Sequence, residues 1–229
     1  MDQQWGTVPI RWALALPLVM FIEMVSMTTT PLTLALSEAG LIQFGRFFQA
    51  DGSVWPVALN LRWLPSYPAL LSEVASALER LLDGIDVDRV LTTVDATPIG
   101  VALSLRTSIP LVYPYGEVRD YTAAFAIEGA YDVGHPTVLL SDMLLDASQA
   151  QAITALARRV GLDVHAVLAV IDLGVGAREA LAAAGDEVRS ALTLREMLPM
   201  LESAGHLPPN MRRTVEDWLE GFAHGGQTG

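Results

Sequence analysis

Cysteine is absent from all 229 residues. Disulfides, thiolate zinc sites and cysteine nucleophiles are thereby excluded, and the absence suits a cytosolic protein. Positive charge is scarce, with 14 basic residues against 26 acidic ones and a formal charge of -12. An acidic surface repels nucleic acid and anionic lipid, so neither is expected as a partner. It also makes a polyphosphate harder to attract. Charged residues of both signs amount to 17% against 52% hydrophobic, which excludes a disordered chain. The histidines His135, His165, His206 and His224 lie far apart without metal-ligand spacing, so no protein-held metal is expected. Gly174-Val175-Gly176 lacks the rest of a dinucleotide fingerprint. Carboxylates are plentiful, but the sequence places no pair at a glycosidase-like separation.

What is there suits one α/β domain with a sizeable core. Residues 1–30 form an apolar extension, 31–222 the domain and 223–229 a tail expected to be disordered. Trp12–Val25 is almost wholly apolar but holds Pro17 and Glu23, and it is shorter than the roughly 20 residues of a spanning helix. Three readings stand for it. Met27 is the first native residue, or the segment is a helix packed on the domain or a second subunit, or it is a signal or anchor.

From Pro31 onward strand and helix patterns alternate. Residues 32–41 suit a short helix. Phe44–Phe48 and Val54–Leu61 read as strands around the Asp51-Gly52 turn. Pro68–Leu82 is an amphipathic helix with Leu71, Val74, Ala75, Leu78 and Leu82 on one face. Val90–Val94 and Leu111–Tyr113 read as strands flanking a helix over Ile99–Arg106. Phe125–Glu128 and Thr137–Asp142 are strands joined by a turn at 132–136. Ser148–Val160 is a helix, Val164–Ile171 a strand and Ala177–Ala184 a helix. A short return strand follows over Glu187–Ala191, then a final helix over Thr193–Glu202, where Thr193 and Glu196 have capping-box spacing. This alternation predicts a mostly parallel sheet covered by helices on both faces, with ligands at the carboxyl ends of the strands.

Several stretches in order carry a resemblance. They are Phe44-Gly45-Arg46-Phe47-Phe48, Asp51-Gly52, Pro56, Asn60-Leu61-Arg62, Pro68–Leu71, Val112-Tyr113, Glu117, Ile127–Ala130, Gly134, Val138–Asp142, and Asp172 with Gly176 and Arg178–Leu181. Together they resemble the orotate phosphoribosyltransferases from about Leu32 to Leu201. The resemblance implies a phosphoribosyltransferase-type fold with an N-terminal helix-plus-hairpin hood. It also implies a homodimer, a cytoplasmic setting and, if the chain is active, pentosyl transfer from phosphoribosyl diphosphate with Mg²⁺.

The same resemblance implies that much of the site is altered. In the family two acids at a strand end hold the ribose hydroxyls, and a Thr/Gly-rich loop cradles the 5′-phosphate at a helix start, where free N–H groups and the macrodipole favour an anion. Here Asp142 matches the second acid and Ser141 replaces the first. Leu145 replaces a threonine, Asp146-Ala147 stand where a small residue and glycine are usual, and Ser148 keeps one hydroxyl. Asp146, with Gln149 three residues on, reads as a helix N-cap. A capping carboxylate takes N–H groups that a phosphate needs. Two such charges about 4 Å apart also repel by roughly 1 kcal/mol in water and about 4 kcal/mol at an effective dielectric of 20.

The diphosphate loop reads Thr93–Gly100, where Asp95 adds a carboxylate and Pro98 removes a donor, while Thr97 keeps a hydroxyl or simply opens a helix with Pro98 at its first position. The family's mobile basic loop, close to Arg-Lys-Glu-x-Lys-x-His-Gly, is represented by Tyr115–Thr122, whose one cation, Arg119, is the weak catalytic candidate. Ala50 stands where a family lysine precedes the hairpin turn. Arg62 remains as a ligand or surface residue, and Trp55, Trp63 and Tyr67 either stack on a ring or pack the hairpin.

Three functions compete. One is a divergent relative without transfer that binds a nucleotide-like or other small ligand. Another is an active phosphoribosyltransferase with a changed base, using Asp142, Thr97, Ser148, Arg119, Mg²⁺ and cations from a second subunit. The third is a structural subunit docking through its amino-terminal helix.

Overall fold

The computed structural model describes residues 31–50, 52–115 and 127–225. Helix α1, residues 31–38, leads into the hairpin β1 (Ile42–Phe48) and β2 (Val54–Leu59). A 3-10 turn at Leu61–Ser66 precedes α2 (Pro68–Leu81). Then come β3 (Arg89–Thr92), α3 (Thr97–Thr107), β4 (Leu111–Pro114), β5 (Ile127–Glu128), β6 (Pro136–Leu144) and α4 (Ser148–Arg159). The chain continues through β7 (Asp163–Asp172), α5 (Ala177–Ala183), β8 (Glu187–Thr193), α6 (Leu194–Ser203) and α7 (Pro209–Gly225).

The six strands of the main sheet run in the order β5-β4-β3-β6-β7-β8. All neighbours are parallel except β4 and β5. Parallel strands covered on both faces have no polar side to show, which is why β6 and β7 read as nearly continuous apolar runs. Alternation then divides each strand between two cores. Val138 and Leu140 of β6 join the cluster built with α2, α3 and α6, whereas Leu139 joins the one under α4 and α5. The face of α2 predicted from its spacing includes Val74 and Leu78, both fully buried, and each contributes about 2 kcal/mol of apolar burial. Arg189 of β8 donates to the carbonyls of Leu81 and Asp83, both at 2.7 Å, and so places a cation at the end of that helix.

The hairpin forms a separate two-stranded sheet. Gly52 takes φ 85° in its turn, a conformation that favours glycine. The second strand stops at Leu59, because Leu61 and Leu64 turn inward within the 3-10 segment.

Three expectations change. The segment at Glu187–Thr193 is no return strand: it lies parallel to β7 at the sheet edge. Thr193 makes no side-chain cap on α6, since it is the last residue of β8, extended and paired with Asp172. The chain also has a further helix after α6. Helix α7 crosses the boundary read at 222, and its Val215 and Leu219 are fully buried. On the same helix Trp218 and Phe222 close on Trp55 of β2, with ring centroids 5.2 and 6.2 Å from it. Residues 1–30 and 226–229, and hence the readings of the apolar extension and the end of the tail, lie outside the described residues.

Candidate functional site

The candidate site lies at the carboxyl ends of β3 and β6. Strand β3 stops at Thr92, paired with Leu140, but β6 runs on beside β7 to Leu144. Asp142 therefore sits past the end of β3, against the loop that leads into α3. Helix α3 is pressed onto β3: a Cβ at Gly100 would lie 2.4 Å from the Thr92 methyl. The loop is tied to itself. The Thr97 hydroxyl donates to the Thr93 carbonyl at 3.2 Å and lies 3.1 Å from the Thr92 hydroxyl. The Thr97 N–H donates to Val94, and that of Ala96 to the Thr93 hydroxyl. Thr97, expected as an anion contact, thus has its polar groups engaged within the turn. Helix α3 begins at Thr97 itself, which moves Pro98 from the first helical position to the second.

Asp95, Asp142 and Arg62 come together here, although they lie far apart in the chain. The Asp142 carboxyl is pushed up to about 6. Burial is the largest cause and the Asp95 carboxylate the next, opposed by the N–H groups of Asp142 and Met143 and by the Arg62 guanidinium. Ser141 points away from this cluster: its side chain is buried and its hydroxyl donates to the Met143 carbonyl at 2.9 Å.

At the start of α4 the Asp146 carboxylate accepts the Ser148 N–H at 2.8 Å and the Ser148 hydroxyl as well. Ala147 holds the N-cap position, so Asp146 acts from one residue further upstream than the capping-box spacing predicts. The first N–H of the helix is taken, and a negative charge stands over the positive end of the dipole. Both Ser148 donors on this turn are taken by one oxygen of Asp146, Oδ1, which leaves the second carboxylate oxygen as an acceptor.

A cavity of about 280 Å³ opens between the hairpin and the sheet. Gln49, Trp55, Asn60 and Arg62 line one side, and Met143 and Leu173 the other. Arg62 makes no hydrogen bond or ion pair with another described residue. Trp55 both lines the cavity and packs on α7, whereas Trp63 and Tyr67 are 52% and 39% exposed. Arg119 lies outside the described residues. Asp172, by contrast, has a structural role: buried, it pairs with Arg178 at 3.0 Å and accepts the Gly174 N–H at 2.9 Å. Among the described residues no three His, Asp or Glu side chains are grouped to hold a metal ion, and no helix is long and apolar enough to cross a membrane.

One signal in the sequence bears on this chemistry beyond the individual motifs. All 14 basic residues are arginine, and lysine is absent from the chain. Every lysine that the family pattern places around the diphosphate and the base is therefore missing.

The strand order, with a hairpin over the carboxyl ends, defines the α/β phosphoribosyltransferase-type fold. No family model matches the sequence. The orotate phosphoribosyltransferase of Halobacterium salinarum is 31% identical over 173 residues, covering 74% of this chain and 97% of that protein. The chain belongs to the orotate phosphoribosyltransferase family. It is also 29% identical over 177 residues to the bifunctional enzyme PyrF/PyrE of a Nostoc strain, matching 77% of this chain but only 37% of that protein. The structure of Leishmania donovani UMP synthase superposes with a TM-score of 0.77 at 25% identity, covering 91% of this chain and 47% of that one.

Proposed function

We propose that phosphoribosyl transfer is lost or strongly altered in this family member, and that it binds a nucleotide-like or other small ligand in the cleft between hairpin and sheet. The observation that carries this reading is the Asp146 carboxylate seated on the Ser148 N–H, where a 5′-phosphate would need bare donors. The engaged Thr97 hydroxyl and the Asp95–Asp142 pair support it. So does the absence of lysine, because transfer from a diphosphate ester needs positive charge where the leaving group becomes more negative. A second copy of the chain would bring the same lysine-free loop, with Arg119 as its cation.

The reading includes a homodimer. On α3 the side chains of Val101 and Leu105, four residues apart on one face, are 44% and 80% exposed. A cytoplasmic setting follows from the small-metabolite chemistry of the family.

A second reading rests on Arg62, a cation that lines the cavity and has no hydrogen bond or ion pair with another described residue. Under it the chain is an active phosphoribosyltransferase with a changed base. Mg²⁺ would then enter with the diphosphate, since Asp95 and Asp142 offer hard carboxylate oxygens but no complete protein cage.

Titration calorimetry with phosphoribosyl diphosphate and Mg²⁺, followed by a product assay with orotate and with other bases, separates the two. The first reading expects no heat at millimolar ligand and no nucleotide product. Saturable binding with turnover overturns it.

A further inference from the structure

We infer that the cleft selects an unphosphorylated nucleoside with a carbonyl-bearing base, and discriminates against the corresponding 5′-monophosphate. This rests on the reading that the phosphate site is blocked, and it names the ligand class that such a blocked site still fits.

Three features gathered around the carboxyl end of β6, where Met143 lines the cavity, impose different demands. The turn before α4 presents the Asp146 carboxylate, with the first helical N–H and the Ser148 hydroxyl already bound to it. A phosphate arriving there meets like charge and must displace two hydrogen bonds; a 5′-hydroxyl can donate to the same carboxylate. The Asp95 and Asp142 carboxylates, at the ends of β3 and β6, are acceptors and suit sugar hydroxyls, which donate. The cavity beside them has apolar walls from Trp55, Met143 and Leu173, and three side chains with N–H donors at its edge, Gln49, Asn60 and Arg62. A guanidinium has five donors and no acceptor, so the ring it meets must present carbonyl or ring-nitrogen lone pairs. About 280 Å³ lies near the lower end of the volumes of small-molecule pockets, enough for one ring but not for a larger conjugate. The ligand that satisfies all three parts is uncharged, hydroxylated and planar at one end.

The probes are uridine and its 5′-monophosphate, titrated by calorimetry into the full chain and into Arg62→Ala. Arg62 is exposed and makes no hydrogen bond or ion pair with another described residue, so its removal is expected to leave the fold intact, as an unchanged circular dichroism spectrum would show. Uridine is expected to bind the full chain at least about tenfold more tightly than the monophosphate, because like-charge repulsion of this kind opposes only the latter. In Arg62→Ala, uridine affinity falls about tenfold or more, the usual loss when a charged donor is removed. Equal or tighter binding of the monophosphate overturns the inference, as does the absence of heat from both probes at millimolar concentration. Neither result touches the loss of transfer, which only turnover of phosphoribosyl diphosphate would contradict.

Discussion

The carboxylate of Asp146 holds the backbone N–H of Ser148 at 2.8 Å and its hydroxyl at the same time. A single acidic side chain therefore occupies the turn to which the family resemblance assigns a phosphate.

Removing that side chain is expected to reopen the turn. In the double variant Asp146→Gly with Ala147→Gly, the Ser148 N–H and hydroxyl are free and the opposing charge is gone. Affinity for inorganic phosphate or sulfate should rise about tenfold or more, as expected from removing a repulsion of one or more kcal/mol. Calorimetric titration of both anions checks this. Unchanged affinity for both would mean that the turn never acted as a block.

Asp142 makes the protein sensitive to pH. Its carboxyl titrates near 6 rather than its usual 3.8, so between these values the folded state holds more protons than the unfolded one. The associated stability is fully present below about pH 4 and is lost as the pH rises through 6, to the extent of about 1–3 kcal/mol. Asp142→Asn removes the titration and should be more stable than the parent at neutral pH but not in acid. Urea unfolding at about pH 4 and about pH 7.5 measures the difference, and identical pH slopes for parent and variant would count against the assignment.

The aromatic contact between the hairpin and α7 should be energetically visible. Trp218→Ala is expected to cost about 2–4 kcal/mol. A double-mutant cycle with Trp55→Ala should return a coupling of about 0.5–1.5 kcal/mol, the range for aromatic pairs. A coupling of zero would mean that the two rings share a surface without acting on each other.

If Val101 and Leu105 on α3 are covered by a second copy, charging both should separate the copies. Light scattering on Val101→Asp with Leu105→Asp is expected to give the mass of one chain where the parent gives two. The same mass for both proteins would place any subunit contact elsewhere.

The two-faced sheet was legible because β6 and β7 carry nearly continuous apolar runs, and α2 because its spacing puts Val74 and Leu78 on one stripe. Helix α7 was equally periodic, with Met211, Val215, Trp218, Leu219 and Phe222, and Pro209 opens it as proline commonly opens a helix, but the stretch after Glu202 was assigned no element. At the candidate site Asp95 and Arg62, far from Asp142 in the sequence, both act on its carboxyl. That Asp146 takes helix N–H groups was legible, but how the hydroxyls are used within the turns was not. Thr97 and Ser148 look like anion donors in a sequence, and only the backbone geometry of each turn shows that Thr93 and Asp146 already accept their hydrogen bonds. The spacing of Thr193 and Glu196 misled for a related reason, since a residue held in a strand ladder is not free to cap the helix that follows it.

The packing of Trp55 beneath Trp218 and Phe222 has a bearing on biosynthesis. The wall that Trp55 gives the cavity leaves the ribosome well before the rings that brace it from behind. The sheet has all its strands before α7 exists, but the wall of the cleft is braced only after α7 has followed. The shape of the cleft then belongs to a chain that has passed α7, and not to any shorter nascent intermediate.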